Sequence, residues 1–229
     1  MNITELIVAL DVDTITQEEE LLETLKGTVT YFKVGLRLFT SHGKRAVELV
    51  HRYGAKVFLD LKLHDIPQAV EHAVHEVQKM RVYAVSLHLS GGADMIHAAA
   101  SVYPRPKLWG VSVLTSLSAT DLHVIHPKAS LRPMALRLAR MGLAHKIDGV
   151  ICSGLEVPSL KKALGPETCF ITPGIRPAGH SAHDQKRHIT PGEAARLGIR
   201  YAVVGRPVTK EANPLAAAQE ILTEMRNAA

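Results

Sequence analysis

Asp60, Lys62 and Asp65 place two carboxylates and one ammonium within the segment Asp60-Leu61-Lys62-Leu63-His64-Asp65-Ile66-Pro67, directly after an apolar run, Val57-Phe58-Leu59, that reads as buried strand. Buried charges are costly unless they pair, so such a cluster at the end of a core strand is either a structural ion pair or a site of chemistry. A lysine flanked by carboxylates stays protonated, because each negative neighbour favours the charged form. That weighs against Schiff-base formation, which needs a neutral amine. The same ammonium would repel a divalent cation held by Asp60 and Asp65. What remains is a proton donor and electrostatic stabiliser facing a developing negative charge. Strand alternation puts Asp60 and Lys62 on one face and Leu61 on the other. Asp65 has the opposite parity and lies in the turn before Pro67, so it need not aim at the same point within its own chain.

The elements that must position these groups are legible as short Val/Ile/Leu-rich runs alternating with stretches of helical period, the signal for a parallel sheet of βα units. Strands are expected at 6–11, 31–35, 56–62, 84–90, 108–115, 149–154, 169–175 and 201–205, with a last helix at 214–226. Val70, Val74, Val77 and Met80 recur at helical spacing after Pro67, a good first helical residue. Thr190-Pro191-Gly192-Glu193 reads as a capping box, and Asn213-Pro214 offers a similar start. Eight such units in 229 residues predict a (β/α)8 TIM barrel, one domain over 1–229. A doubly wound open sheet would carry a glycine-rich turn after its first strand, where this chain has Asp11-Val12-Asp13.

Active sites in such barrels collect at the C-terminal strand ends. Asp11, Lys33, Asp60, Lys62, Ser86, His88 and Thr115 all fall in or at the ends of predicted strands, with Arg176 and Arg206 just after the last two. Gly174-Ile175-Arg176-Pro177 and Gly205-Arg206-Pro207 lie in the two loops that commonly hold a phosphate, where glycine permits close backbone approach and arginine supplies a matching fork. The stretch 176–189, containing Gln185, exceeds the usual βα-loop length and reads as a lid over a phosphorylated ligand.

Composition bounds the alternatives. The net charge of +5 permits an anionic partner. The basic residues are scattered, however, and aromatics make up only 4%, too few for base-stacking platforms, so no nucleic-acid partner is expected. The N-terminal stretch MNITELIVALDVDT lacks the basic region and the apolar length of a signal peptide, and no apolar stretch has membrane length, so a cytoplasmic location is expected. Cys152 and Cys169 sit in apolar strand-like runs and read as buried reduced thiols. The thirteen histidines do not make a metal motif: His75-Glu76-Val77-Gln78-Lys79 fails H-E-x-x-H at its last position, and His180, His183 and His188 fall in the surface loop. His88 reads as serving packing or a structural hydrogen bond, and Arg132, Arg137 and Arg140 as a solvated helix face.

Taken together, Val8-Ala9-Leu10-Asp11, Phe32-Lys33-Val34-Gly35, the 60–67 segment, Ser90-Gly91-Gly92, Val113-Leu114-Thr115-Ser116, Thr172-Pro173-Gly174-Ile175-Arg176-Pro177, Asp184-Gln185 and Val204-Gly205-Arg206-Pro207-Val208 resemble the bacterial orotidine 5'-phosphate decarboxylase family over nearly the whole chain. The resemblance implies a homodimeric barrel, without metal or organic cofactor, that releases CO2 from orotidine 5'-monophosphate to give UMP in pyrimidine biosynthesis. By that similarity Lys62 would protonate C6 of the pyrimidine and Asp60 would sit against the departing carboxylate. Asp11 and Lys33 would bind the ribose and extend the charge array. Asp65 would reach into the partner's site, and Thr115 would contact the nucleotide. Gln185, Gly205 and Arg206 would hold the phosphate, with Arg176 nearby. Gln68-Ala69 departs from the Asn-Thr usual after D-I-P, which removes a hydroxyl contact. Two other readings stay open: a magnesium-dependent barrel acting on a sugar phosphate, and a non-catalytic nucleotide- or nucleic-acid-binding barrel.

Overall fold

The structure is a computed structural model that describes residues 3–178 and 188–228. Eight strands form a closed, all-parallel barrel in chain order: β1 (Glu5–Ala9), β2 (Tyr31–Gly35), β3 (Lys56–Leu63), β4 (Ala84–His88), β5 (Lys107–Val111), β6 (Gly149–Ile151), β7 (Phe170–Pro173) and β8 (Tyr201–Val204). The helices among the described residues are α1 (Ile15–Leu25), α2 (Leu36–His42), α3 (Lys44–Arg52), α4 (Pro67–Lys79), α5 (Ala93–Ser101), α6 (Ala119–Ile125), α7 (Leu131–Ala144), α8 (Val157–Leu164), α9 (Pro191–Arg196), α10 (Arg206–Thr209) and α11 (Pro214–Ala228). No described helix is long and apolar enough to cross a membrane.

The strands are apolar on both faces because both are covered, as a parallel sheet requires. Along β1, Leu6 and Val8 pack outward against the helical layer, while Ile7 and Ala9 fill the barrel interior. Interior residues change character from one end to the other. At the N-terminal end Tyr31, Tyr83, Tyr201 and Trp109 pack edge to face or tilted, with centroids 4.9–6.2 Å apart, and the Tyr83 and Tyr201 hydroxyls are 2.6 Å from one another. Lys56, Lys107 and Arg200 lie over these rings, so the floor of the barrel is sealed by aromatic surface and covered by cations. The other end is left for polar groups.

Local signals set the helix starts, at α4, α9 and α11 as expected and at α1 by a cap not singled out in the sequence. Thr14 and Gln17 cap α1 reciprocally, Thr190 and Glu193 do so for α9, and Ala216 N–H donates to Asn213 Oδ1 at 3.0 Å at the start of α11. Pro67 opens α4, which buries Val70, Val74 and Val77. The predicted strands 6–11, 84–90, 108–115, 149–154 and 169–175 all run too far, and the observed ones stop two to four residues short of their predicted ends. The residues beyond them leave the sheet to line the mouth, so Asp11 and Thr115 are loop rather than strand residues. Cys152 is buried and Cys169 only partly so; neither is in a disulfide among the described residues, and burial pushes the Cys169 thiol up to about 11, which leaves it inert. Arg132, Arg137 and Arg140 are exposed on α7.

A buried acid lies outside the barrel interior. Glu18 of α1 is 0% exposed, and neither carboxylate oxygen has a hydrogen-bond partner among the described residues. Burial pushes its pKa up to about 8; Arg52 pulls the other way and Glu19 adds to the rise. A pKa raised in the folded state means that folding takes up a proton above the ordinary value of 4.5. Stability from this site is therefore complete below that value and is lost as pH rises through about 8. Glu18→Gln should remove this slope: denaturant unfolding at pH 5, 7 and 9 is expected to show the variant gaining on the parent steadily with pH, whereas parallel curves would mean Glu18 is already ionised in the fold.

Candidate active site

The mouth of the barrel holds a cavity of about 570 Å³. Asp11, Lys33, Asp60, Lys62, Thr115, Arg176, Gly205 and Arg206 all line it, brought from the C-terminal ends of β1, β2, β3, β5, β7 and β8 and the loops after them. The charged groups form an alternating row. Lys33 Nζ is 3.0 Å from Asp11 Oδ1 and 3.7 Å from Asp60 Oδ2, and Lys62 Nζ is 2.8 Å from the same Asp60 oxygen. Asp60 Oδ1 accepts from Ser86 Oγ at 2.7 Å. Burial, at 8% residue exposure, would by itself push the Asp60 carboxyl up. The charges of Lys33 and Lys62 and the hydrogen bonds from Lys62 and Ser86 outweigh it, and the group is held below the ordinary carboxylate range.

The row depends on neighbours that sequence spacing does not reveal. A Cβ at Gly35 would lie 2.6 Å from Lys33 Nζ and 3.3 Å from Asp11 Oδ1, so glycine there makes room for that ion pair. Arg37, on the first turn of α2, grips Asp13 with two hydrogen bonds of 2.6 and 2.5 Å and donates to the Asp11 carbonyl at 3.2 Å. It also lines the cavity and ties down the loop that carries Asp11. His88 stacks near His64 with centroids 5.3 Å apart; burial holds its imidazole below the usual range, and the charges of His64 and Lys62 reinforce the effect. Below the row the wall is apolar, formed by Ala9, Phe58, Val111, Ile151, Ile171 and Val203.

The two expected anion loops have different backbones. Gly174 has φ of 77°, a left-handed conformation that glycine adopts without strain. At Gly205 a Cβ would meet Ala9 and Asp11 only at ordinary contact distance, so packing does not demand glycine there. Arg176 is buried, at 5% exposure, and its N–H donates to the Ile189 carbonyl at 3.0 Å, which pins the two ends of the long loop together. Gln185, His180, His183 and most of the expected lid lie outside the described residues. Among the described residues no group of three or more His, Cys, Asp or Glu side chains is placed to hold a metal ion.

Asp65 does not join the other charges. It is exposed, away from the cavity of its own chain, and its Oδ1 accepts from Ile66 N–H at 2.6 Å. Asp60 and Lys62 do meet, but not by plain alternation. Leu59 pairs with Val85 and Leu63 with Leu87, so β3 bulges between them, and Lys62 has φ of 52°.

Residues 4–221 match the family described as Orotidine 5'-phosphate decarboxylase / HUMPS family. An Opitutus terrae protein named orotidine 5'-phosphate decarboxylase is 40% identical over 227 residues, covering 97% of this chain and 99% of its own length. A protein of the same name from Gluconobacter oxydans is 41% identical over 233 residues, covering 98% of both. The crystal structure of orotidine 5'-phosphate decarboxylase from Lactobacillus acidophilus superposes with a TM-score of 0.84 at 35% identity, covering 97% of this chain and 99% of that one.

If the Lys33 charge helps to hold Asp60 ionised, Lys33→Ala should shift the Asp60 carboxyl upward, towards the ordinary range. A 13C titration of the Asp60 side-chain carboxyl measures this. An unmoved midpoint would assign the whole effect to Lys62 and Ser86.

Proposed function

The chain belongs to the orotidine 5'-phosphate decarboxylase / HUMPS family, and on that premise we propose that it converts orotidine 5'-monophosphate to UMP and CO2 in de novo pyrimidine biosynthesis. The observation that carries this reading is the row Asp11, Lys33, Asp60 and Lys62, which presents an ionised carboxylate and an ammonium 2.8 Å apart at the edge of a cavity with an apolar wall. We further propose that the enzyme works in the cytoplasm as a homodimer, with no metal or organic cofactor.

In the reaction the bond between C6 and its carboxylate breaks and CO2 leaves. The electron pair stays on C6, and Lys62 delivers a proton to that carbon before solvent restores its own. Asp60 faces the departing carboxylate. Repulsion between the two at about 4 Å is worth on the order of 4 kcal/mol at an effective dielectric of about 20. Enzymes lower barriers by about 8–23 kcal/mol, so this repulsion accounts for the smaller part. The larger part falls to the Lys62 ammonium, which stabilises the carbanion-like transition state more than the ground state. Asp11 and Lys33 hold the ribose, and Thr115 contacts the nucleotide. Arg206, Gly205 and Gln185 hold the phosphate, with Arg176 beside them, so that binding energy far from C6 aligns the charges.

Asp65 serves the partner's site in this reading. Its exposure beside Ile66, an apolar residue 66% exposed, and a shallow cleft formed with Gln68, Ala69, Glu71, His72 and His75 support a subunit contact there.

Purified protein should consume orotidine 5'-monophosphate, followed by loss of its absorbance, with EDTA present. Lys62→Ala should lower kcat by at least about a thousandfold. Turnover that stops in chelator would point instead to the magnesium-dependent sugar-phosphate chemistry, and UMP binding without turnover to a non-catalytic barrel. Mixed Lys62→Ala and Asp65→Ala chains should regain activity by forming some intact sites, about one in four of the sites at random pairing if sites are shared. No recovery after demonstrated subunit exchange would place Asp65 outside the active site.

A further inference from the structure

Lys62 has φ of 52°, in the left-handed region that residues with a side chain rarely occupy. It closes the bulge in β3, where Asp60, Leu61 and Lys62 stand opposite the single residue Ser86. A bulge interrupts the ladder and leaves backbone groups to find other partners. Here the Lys62 N–H donates to the Ser86 side chain, at 2.8 Å from Oγ. That hydroxyl donates in turn to Asp60 Oδ1 at 2.7 Å, so its proton and one lone pair are both committed. Ser86 is 0% exposed, and its strand is paired on its other edge with β5, Ser86 opposite Trp109. The hydroxyl is therefore fixed from the scaffold side. With Oδ1 taken, Asp60 offers Oδ2 to the two lysines.

We propose that Ser86 is a positioning residue for the reacting pair: one buried hydroxyl holds the left-handed backbone of Lys62 and the carboxylate plane of Asp60 together. Without it the Lys62 N–H and Asp60 Oδ1 both lose a partner in a buried place, the carboxylate is free to turn, and the ammonium loses its aim. Ser86 makes no part of the cavity lining, so its removal should act on the chemical step and leave ligand binding nearly intact.

The kinetic side of this inference rests on the decarboxylase reading, and the test separates the two. Ser86→Ala, Ser86→Cys and Ser86→Thr are compared with the parent for thermal unfolding, for kcat and KM on orotidine 5'-monophosphate, and for hydrogen exchange at the Lys62 amide. The alanine and cysteine variants should lose about 100-fold in kcat with KM little changed. Their Lys62 amide should exchange at least about tenfold faster. Threonine, which keeps the hydroxyl, should restore most of both. Cysteine fills a similar volume with a weak hydrogen-bonding group, so it carries the test if alanine fails to fold. Parent-like kcat in folded alanine or cysteine variants, or a loss seen in KM alone, would overturn the proposal. If the parent itself does not turn over orotidine 5'-monophosphate, the decarboxylase reading fails, and amide exchange alone decides Ser86: unchanged protection in the alanine or cysteine variant rejects it.

Discussion

A carboxylate kept ionised inside the protein is the constraint on which the rest of this site depends. Asp60 is almost wholly buried, and burial alone would favour its neutral form. Two lysines and a serine hydroxyl reverse that, each engaging a defined oxygen of the carboxylate. Such an arrangement is not favoured by folding alone. Replacing buried ion pairs with well-packed apolar groups is often neutral or stabilising by about 1–4 kcal/mol. The row of two carboxylates and two ammoniums is electrically balanced, so the fold tolerates it without giving up the field that each charge exerts on the cavity.

The barrel makes room for this row by dividing its interior lengthwise. Single strands carry both halves: β2 has Tyr31 at the floor and Lys33 at the mouth, and β3 has Phe58 followed by Asp60. The tyrosine and tryptophan rings close the floor, and cations sit over them at that end. A plugged floor keeps solvent from entering beneath the charges, and a lower local dielectric strengthens every interaction among them.

Glu18 and Asp60 illustrate how far partners decide the state of a buried acid. Both are shielded from water. Asp60 has the Ser86 hydroxyl at Oδ1 and two lysines at Oδ2 and is held low, whereas Glu18 has a hydrogen bond at neither oxygen among the described residues and is pushed up to about 8. The linkage contribution of Asp60 is therefore complete above the ordinary carboxylate pKa and is lost as pH falls through its depressed one, while Glu18 does the reverse and weakens the fold towards alkaline pH.

What the sequence determined by itself is periodic or local. The alternation of apolar runs sufficed for eight βα units, the Thr190–Glu193 and Asn213 caps for their helix starts, and the position of Asp11, Lys33, Asp60, Lys62, Thr115, Arg176, Gly205 and Arg206 near strand ends for their convergence on one cavity. Tertiary structure decided what depends on residues distant in the chain. Ser86 comes from a different strand than the bulge it holds, and Glu18, whose spacing to Leu21, Leu22 and Leu25 does put it on the buried face of α1, finds no hydrogen-bond partner there among the described residues. The void at Gly35 has a purpose only once Lys33 reaches Asp11, and Arg37 matters through its grip on Asp13 and the Asp11 carbonyl. A register shift of this kind leaves no mark in hydrophobic periodicity, because the two-residue repeat assumes a regular ladder and the bulge breaks it.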